Sequence, residues 1–113
     1  MKVSIVTTCF NREKTIRDTI ESVLSQSYPN IEYIVVDGAS TDGTMSIVNE
    51  YRTRLSDVVS EKDSGMYEAI NKGIRRCTGD IVGLLHSDDV LYSADTISHV
   101  VDYFRSKASD LIY

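Results

Sequence analysis

The chain has 113 residues, enough for one domain with a core and close to the lower end for an α/β enzyme that must also form a substrate cleft. Lys and Arg number 12 against 17 Asp and Glu, a formal balance of −5. The signs are interspersed and no basic run could follow a phosphate backbone, which argues against nucleic-acid binding. No segment approaches the roughly 20 apolar residues of a membrane span, and the apolar run in "MKVSIVTTCF" is too short for a secretory signal, so a cytoplasmic location is expected. Cys9 and Cys77 lack a CxxC or His spacing and are expected as reduced thiols without assigned chemistry.

Val3 to Thr8, "VSIVTT", is a β-branched run that predicts a buried first strand. In "NREKTIRDTIESVLSQ", Ile16, Ile20, Val23 and Leu24 fall at i, i+4, i+7 and i+8, which predicts an amphipathic helix with Asn11 as its cap. Tyr28-Pro29-Asn30 ends that helix before a second strand, "IEYIVVD", Ile31 to Asp37. "GASTDGT" supplies turn residues and caps for a helix carrying Ile47, Val48, Tyr51 and Leu55, and "DVVSE" reads as a weak third strand. Met66, Ile70 and Ile74 mark the stripe of the next helix, with Gly79 placed to close it. "IVGLL", Ile81 to Leu85, is the most uniformly apolar strand. Ser93 caps a last helix whose Ile97, Val100, Val101 and Phe104 face inward, and "DLIY" begins like a fifth strand.

Near-continuous apolar strands alternating with amphipathic helices predict a Rossmann-like, mostly parallel α/β sheet with helices on both faces. Ligands of such sheets sit beyond the carboxyl ends of the strands. Four polar clusters fall there: Thr8 to Arg12, Asp37 to Asp42, Glu61 to Gly65 and His86 to Asp89. A glycine-rich phosphate loop is missing, since "TTCFNRE" has no glycine and "DGASTDG" is wrongly placed for GxGxxG, so NAD, SAM and P-loop readings lose their warrant. The adjacent acids Asp88 and Asp89 would repel a phosphate unless Mg²⁺ or Mn²⁺ reverses the local sign and bridges them to a diphosphate. Read alone, a solvated acidic turn or a helix cap preceding Ser93 would explain the same pair equally well. His99 has no acidic or cysteine partner at ligand spacing and is expected as a surface histidine.

The set "VSIVTTCFNRE", "SVLSQSYPNIEYIVVDGASTDGT", "EKDSGMYEAINKGI" and "TGDIVGLLHSDD" closely resembles the nucleotide-binding half of family-2 glycosyltransferases with the GT-A fold, over essentially the whole chain. The resemblance implies a nucleotide-diphosphate-sugar donor, a UDP-sugar first among them, a divalent metal (Mn or Mg), and inverting transfer to a glycan or lipid-linked acceptor, as in polysaccharide assembly at the inner face of a membrane. It makes Thr8, Phe10, Asn11 and Arg12 the base-contacting segment, Asp37 an acceptor for the base edge, and Asp88 and Asp89 the ribose and metal acids. The loop with Lys62, Asp63 and Gly65 would lie beside the nucleotide, and Asn71, Lys72 and Gly73 would fix helix packing and the pyrophosphate side. His86 stands where the family's DxD motif has its first acid, which removes one anion from the metal site. The family's catalytic base and most of its acceptor site would follow Tyr113, so residues 1–113 are expected as the donor half, inactive alone, with an unfinished sheet edge near Tyr113 that invites self-association.

A non-catalytic module binding a nucleotide or a protein partner through the same cleft is the alternative reading. A phospho-acceptor receiver domain ranks below both, because its acids would follow the first and third strands and not the fourth.

Overall fold

A computed structural model describes the backbone of residues 1–110 and the side chains of residues 1–107. Strands β1 (Val3–Cys9), β2 (Ile31–Asp37), β3 (Asp57–Ser60) and β4 (Ile81–Leu84) form one parallel sheet in the order β3-β2-β1-β4. Between and after them lie α1 (Ile16–Leu24), α2 (Thr44–Glu50), α3 (Met66–Arg76) and α4 (Thr96–Asp110). The predicted fold class is therefore the observed one. No helix among the described residues is long and apolar enough to cross a membrane.

The β-branched runs explain the layering. Tyr33 through Asp37 of β2 are fully buried, because that strand has a partner on each edge and helices over both faces. One face presents Val3, Ile5, Tyr33 and Val35 to Ile16, Ile20 and Val23 of α1, Val48 of α2, and Ile97 and Val101 of α4. The other presents Val6, Ile34 and Val36 to Ala69 of α3. On that side Gly73 is buried against β1 so closely that a Cβ would overlap Val6 Cγ1, which bears out Gly73 as a packing residue.

Several local expectations are corrected. Asn11 does not cap α1: the helix starts at Ile16 after Thr15, and Asn11 adopts φ 52° in the preceding loop. The stripe of α3 is not Met66, Ile70 and Ile74, since Met66 is 59% and Ile74 43% exposed; the small residues Ala69 and Gly73 face the sheet instead. Gly79 lies beyond the C-cap, Cys77, at a site where a Cβ would meet the Ser4 backbone nitrogen at 2.7 Å. Ser93 precedes α4 by a turn, its Oγ accepting from the Asp95 amide at 3.1 Å. Val100 and Phe104 of α4 are exposed, and only Ile97 and Val101 of the expected four face inward. Leu55 follows a 3₁₀ turn at Arg52–Arg54 in extended backbone and is not helical. The most apolar strand, β4, is an edge strand among the described residues, with Val82 and Leu84 exposed. The helix α4 takes in Asp110, the first residue of the expected fifth strand; the rest of that strand and the self-association edge at Tyr113 lie outside the described residues.

At the amino-terminal edge of the sheet, Glu32 binds β1 to the turn before β4. It accepts from Ser4 Oγ at 2.7 Å, the Thr78 amide at 2.8 Å and Thr78 Oγ1 at 2.9 Å, and pairs with Lys2 Nζ at 3.3 Å. Burial alone would raise its pKa, but these donors outweigh it and hold the carboxyl at about 2. The ionised form thus favours the folded chain above the unfolded value, about 4.3, and this contribution disappears as the pH falls toward 2. Glu32→Gln is expected to lose roughly 1–2 kcal/mol at neutral pH. In urea titrations its midpoint should decline less steeply between pH 4.5 and 2 than that of the native chain; equal slopes would rule out Glu32 as the acid-sensitive link.

Candidate functional site

The strand order reverses at β1: the chain runs outward through β2 and β3, then returns to place β4 on the other side of β1. Such a switch point leaves a crevice at the carboxyl ends, between loops that diverge. Here it holds a cavity of about 530 Å³ lined from β1 by Thr8, Cys9, Phe10 and Arg12, from β4 by His86, Ser87 and Asp88, and from the start of α3 by Asp63, Gly65, Met66 and Ala69.

The wall after β4 is a turn fixed from behind. The Asp89 amide donates to the His86 carbonyl at 3.0 Å. Two threonines of the α1 segment reach the same turn: Thr15 Oγ1 donates to Ser87 O at 2.8 Å, and the buried Thr19 Oγ1 lies 2.5 Å from Asp89 O and 3.1 Å from Ser87 O. A turn so held exposes the side chains of His86, Asp88 and Asp89 while burying Ser87.

The wall at α3 depends on Gly65, whose φ of 141° suits glycine and whose missing Cβ leaves open space. Its amide donates to Asp63 Oδ1 at 3.2 Å, while Asp63 Oδ2 rests against Gly38, 3.1 Å from where a Cβ would stand. Ser64 closes the first turn of α3 by donating through its amide (3.1 Å) and its hydroxyl to Glu68 Oε2. Lys72 is ion-paired with Glu61 at 3.1 Å and Glu68 at 3.4 Å, so its ammonium braces this loop and is not free for a pyrophosphate.

The third wall is built on Asp37. Its carboxylate is fully buried and accepts from the Ser40 amide (2.9 Å), Ser40 Oγ (2.5 Å), Ser60 Oγ (2.8 Å) and Cys9 Sγ (3.4 Å). Burial, and then the nearby Asp37 charge, push the Cys9 thiol well above its ordinary pKa, so it stays a protonated donor. Both cysteines are free thiols, as expected.

Of the sequence-predicted residues, Thr8, Phe10, Arg12, Asp63, Gly65 and Asp88 share the cavity. Asn11, Asp37 and Asp89 do not line it. Asn11 Oδ1 accepts the Thr41 amide at 2.8 Å, and Asp37 has its acceptors taken up by protein donors, which leaves no lone pair aimed at a base edge. Asp89 is exposed beside the cavity, next in the turn to Asp88. Lys62 and Asn71 are exposed outside it. Cys9, His86 and Ser87, which lie within the predicted edge clusters, also line it, and Met66 and Ala69 join the lining from outside those clusters. Thr19 also went unassigned, although a polar residue three positions after Ile16, inside the apolar stripe of α1, is the signal that marks it.

Among the described residues no three His, Cys, Asp or Glu side chains are grouped to hold a metal. The donor set fits a hard cation nonetheless, because Mg²⁺ and its analogues bind through one or two carboxylates and complete their shell with water and substrate phosphate. Asp88 and Asp89 are the carboxylates that could supply them.

The parallel sheet and its switch-point cavity belong to the Rossmann-like GT-A class. The chain is a member of glycosyl transferase family 2, whose model matches residues 4–113. It is 43% identical over 90 residues, 77% of this chain and 36% of the other, to a Bacillus subtilis protein named for teichuronic acid biosynthesis, the glycosyltransferase TuaG. It is 32% identical, over 97% of this chain and 44% of the relative, to a PGL/p-HBAD biosynthesis glycosyltransferase of Mycobacterium bovis. Among solved structures, S. aureus TarS in complex with UDP-GlcNAc superposes with a TM-score of 0.84 at 28% identity, covering 94% of this chain and 32% of that one. The mannosyltransferase PcManGT of Pyrobaculum calidifontis, in complex with GDP-Man and Mn²⁺, does so with 0.83 at 30% identity, covering 90% and 32%. The chain thus spans well under half the length of these relatives.

The threonine clamp yields a direct test. Thr19→Val keeps the shape but leaves the Asp89 carbonyl without its donor, which should cost about 1–3 kcal/mol. Amide exchange at Asp89 should accelerate at least tenfold, and Thr19→Ser should retain native exchange. An unchanged Asp89 amide in Thr19→Val would show that the turn is self-supporting.

Proposed function

We propose that residues 1–113 form the donor-binding half of a glycosyltransferase that moves a sugar from a nucleotide-diphosphate sugar to an acceptor hydroxyl with inversion. The observation that carries this reading is the convergence of Phe10, Arg12, Asp63, His86 and Asp88 on one switch-point cavity. Phe10, Arg12, Asp63 and Asp88 each suit one part of such a donor. The Phe10 ring, 55% exposed, offers a face for stacking a base. Asp63 offers carboxylate oxygens to the N–H edge of a base. The Arg12 guanidinium, which makes no ion pair among the described residues, offers a fork to the diphosphate. Asp88 suits a ribose hydroxyl, and with Asp89 the coordination of Mn²⁺ or Mg²⁺.

In the displacement, the acceptor oxygen bonds to the anomeric carbon as the bond to the diphosphate breaks, the electron pair leaves with the diphosphate, and the acceptor proton passes to a carboxylate base. A divalent cation, when bound, would offset the charge of the departing group. Here Arg12 and the 86–89 turn hold the diphosphate end while Phe10 and Asp63 hold the base. The chain's 36–44% share of its relatives' length supports assigning the base and the acceptor site, for a glycan or lipid-linked acceptor at a cytoplasmic membrane face, to the other part of a larger domain. The TarS complex with UDP-GlcNAc supports UDP as the first nucleotide to try and the PcManGT complex with GDP-Man supports GDP as the second.

Calorimetric titration of UDP and GDP with and without Mn²⁺ tests the reading. The native chain should bind one of them more tightly with Mn²⁺, Asp88→Asn and Asp89→Ala should each weaken that binding at least tenfold, and Phe10→Ala should weaken it about fivefold, the equivalent of roughly 1 kcal/mol of stacking. Binding indifferent to both metal and the acids would favour a non-catalytic module instead.

A further inference from the structure

Two loops with unusual backbone meet behind the cavity. The loop after β1 turns at Asn11 (φ 52°) and the loop after β2 turns at Ala39 (φ 64°). Left-handed backbone is costly for residues with a Cβ, so both turns persist because their surroundings hold them. The links run in series. The Asn11 amide donates to Ser40 Oγ at 2.8 Å, and Ser40 Oγ donates in turn to Asp37 Oδ1 at 2.5 Å. Asn11 Oδ1 then returns across the gap to accept the Thr41 amide at 2.8 Å. One residue on, the Arg12 amide donates to Thr44 Oγ1 at 2.8 Å.

The direction of this relay follows from the inventory of a hydroxyl, which has one proton to give and lone pairs to receive. Ser40 gives its proton to the buried carboxylate, and that leaves a lone pair facing the Asn11 amide. The segment it anchors carries two of the cavity's chemical groups, Phe10 and Arg12, whereas Ser40 and Asp37 do not line the cavity. Phe10 is more than half exposed, so packing does not fix its ring and the backbone at residues 10–11 must.

We propose that Ser40 is a positioning residue for nucleotide recognition: it couples the buried Asp37 to the Asn11 turn and so sets where Phe10 and Arg12 stand, without touching the ligand. The assignment rests on the donor-binding reading of the cavity. Without the hydroxyl, the Asn11 amide turns to solvent and the loop samples other backbone states. The binding-competent arrangement is then populated a fraction of the time, and the apparent affinity falls by that fraction.

The test measures UDP and GDP binding with Mn²⁺, and amide exchange at Asn11 without ligand. Ser40→Ala is expected to weaken binding threefold to tenfold and to speed Asn11 exchange at least tenfold, while Ser40→Thr keeps both near native. Added to a chain that already carries both Phe10→Ala and Arg12→Ala, Ser40→Ala should weaken binding less than twofold further, because both groups that it places are gone. Ser60→Ala serves as the comparison: it removes another donor from Asp37 without touching the Asn11 amide, and should weaken binding and speed Asn11 exchange less than Ser40→Ala does. The assignment falls if Ser40→Ala binds like the native chain, if its loss multiplies fully with that of the combined Phe10→Ala and Arg12→Ala chain, or if Ser60→Ala weakens binding equally. Should Ser40→Ala not hold its fold, Ser40→Cys, a weaker bridge of similar size, takes its place in the same comparisons. A native chain that binds neither nucleotide overturns the donor reading and this role with it, whereas native binding with an indifferent Ser40→Ala removes the role alone.

Discussion

A carboxylate with no exposure is the constraint on which the molecule's functional edge is built. Transferring such a group from water is expensive unless nearly every lone pair finds a donor. Asp37 meets this requirement with the Ser40 amide and hydroxyl, the Ser60 hydroxyl and the Cys9 thiol, drawn from the ends of β1 and β3 and from the loop after β2. Three separate segments are thereby brought to one point, and no described buried side-chain polar atom is left without a partner. The shapes of the loops are in this sense the solution to a single burial problem.

The opposite wall of the cavity follows the same plan. Thr19, fully buried in α1, sends its hydroxyl to the carbonyls of the 86–89 turn, while the side chains of His86, Asp88 and Asp89 in that turn are exposed. Precision comes from polar groups inside the core, and chemistry from charged and aromatic groups on the rim. This division would suit the nucleotide-sugar site proposed above, because the rim groups stay solvated until a ligand arrives and their backbone does not have to be ordered by binding.

Much of this plan was legible in the residue pattern. The β-branched runs identified all four strands, and the polar clusters after them marked the edge where the cavity lies, because strand burial is written in a short local period. Errors arose where burial depends on neighbours distant in sequence. The stripe Met66, Ile70 and Ile74 has helical spacing, but close approach of α3 to β1 admits only Ala69 and Gly73 on the inner side. Asn11 has the composition of a cap, yet its partner is Thr41, thirty positions away. Asp37 looks like a ligand-facing acid from its place at a strand end, and nothing local reveals that Ser60 and Cys9 will surround it. The acids of the 86–89 turn were visible as residues, whereas the threonines that shape the turn became meaningful only once α1 lay beside it.

Gly73 carries an implication for how the cavity's dimensions are set. The hydrogen that serves as its side chain lets α3 settle onto Val6, and the first turn of that helix bears Met66 and Ala69 of the cavity wall. The helix therefore behaves as a lever with its fulcrum at residue 73. Any bulk introduced at that contact would tip the far end by an amount that grows with the two turns between, so the aperture offered to a ligand is gauged by a steric gap well outside it.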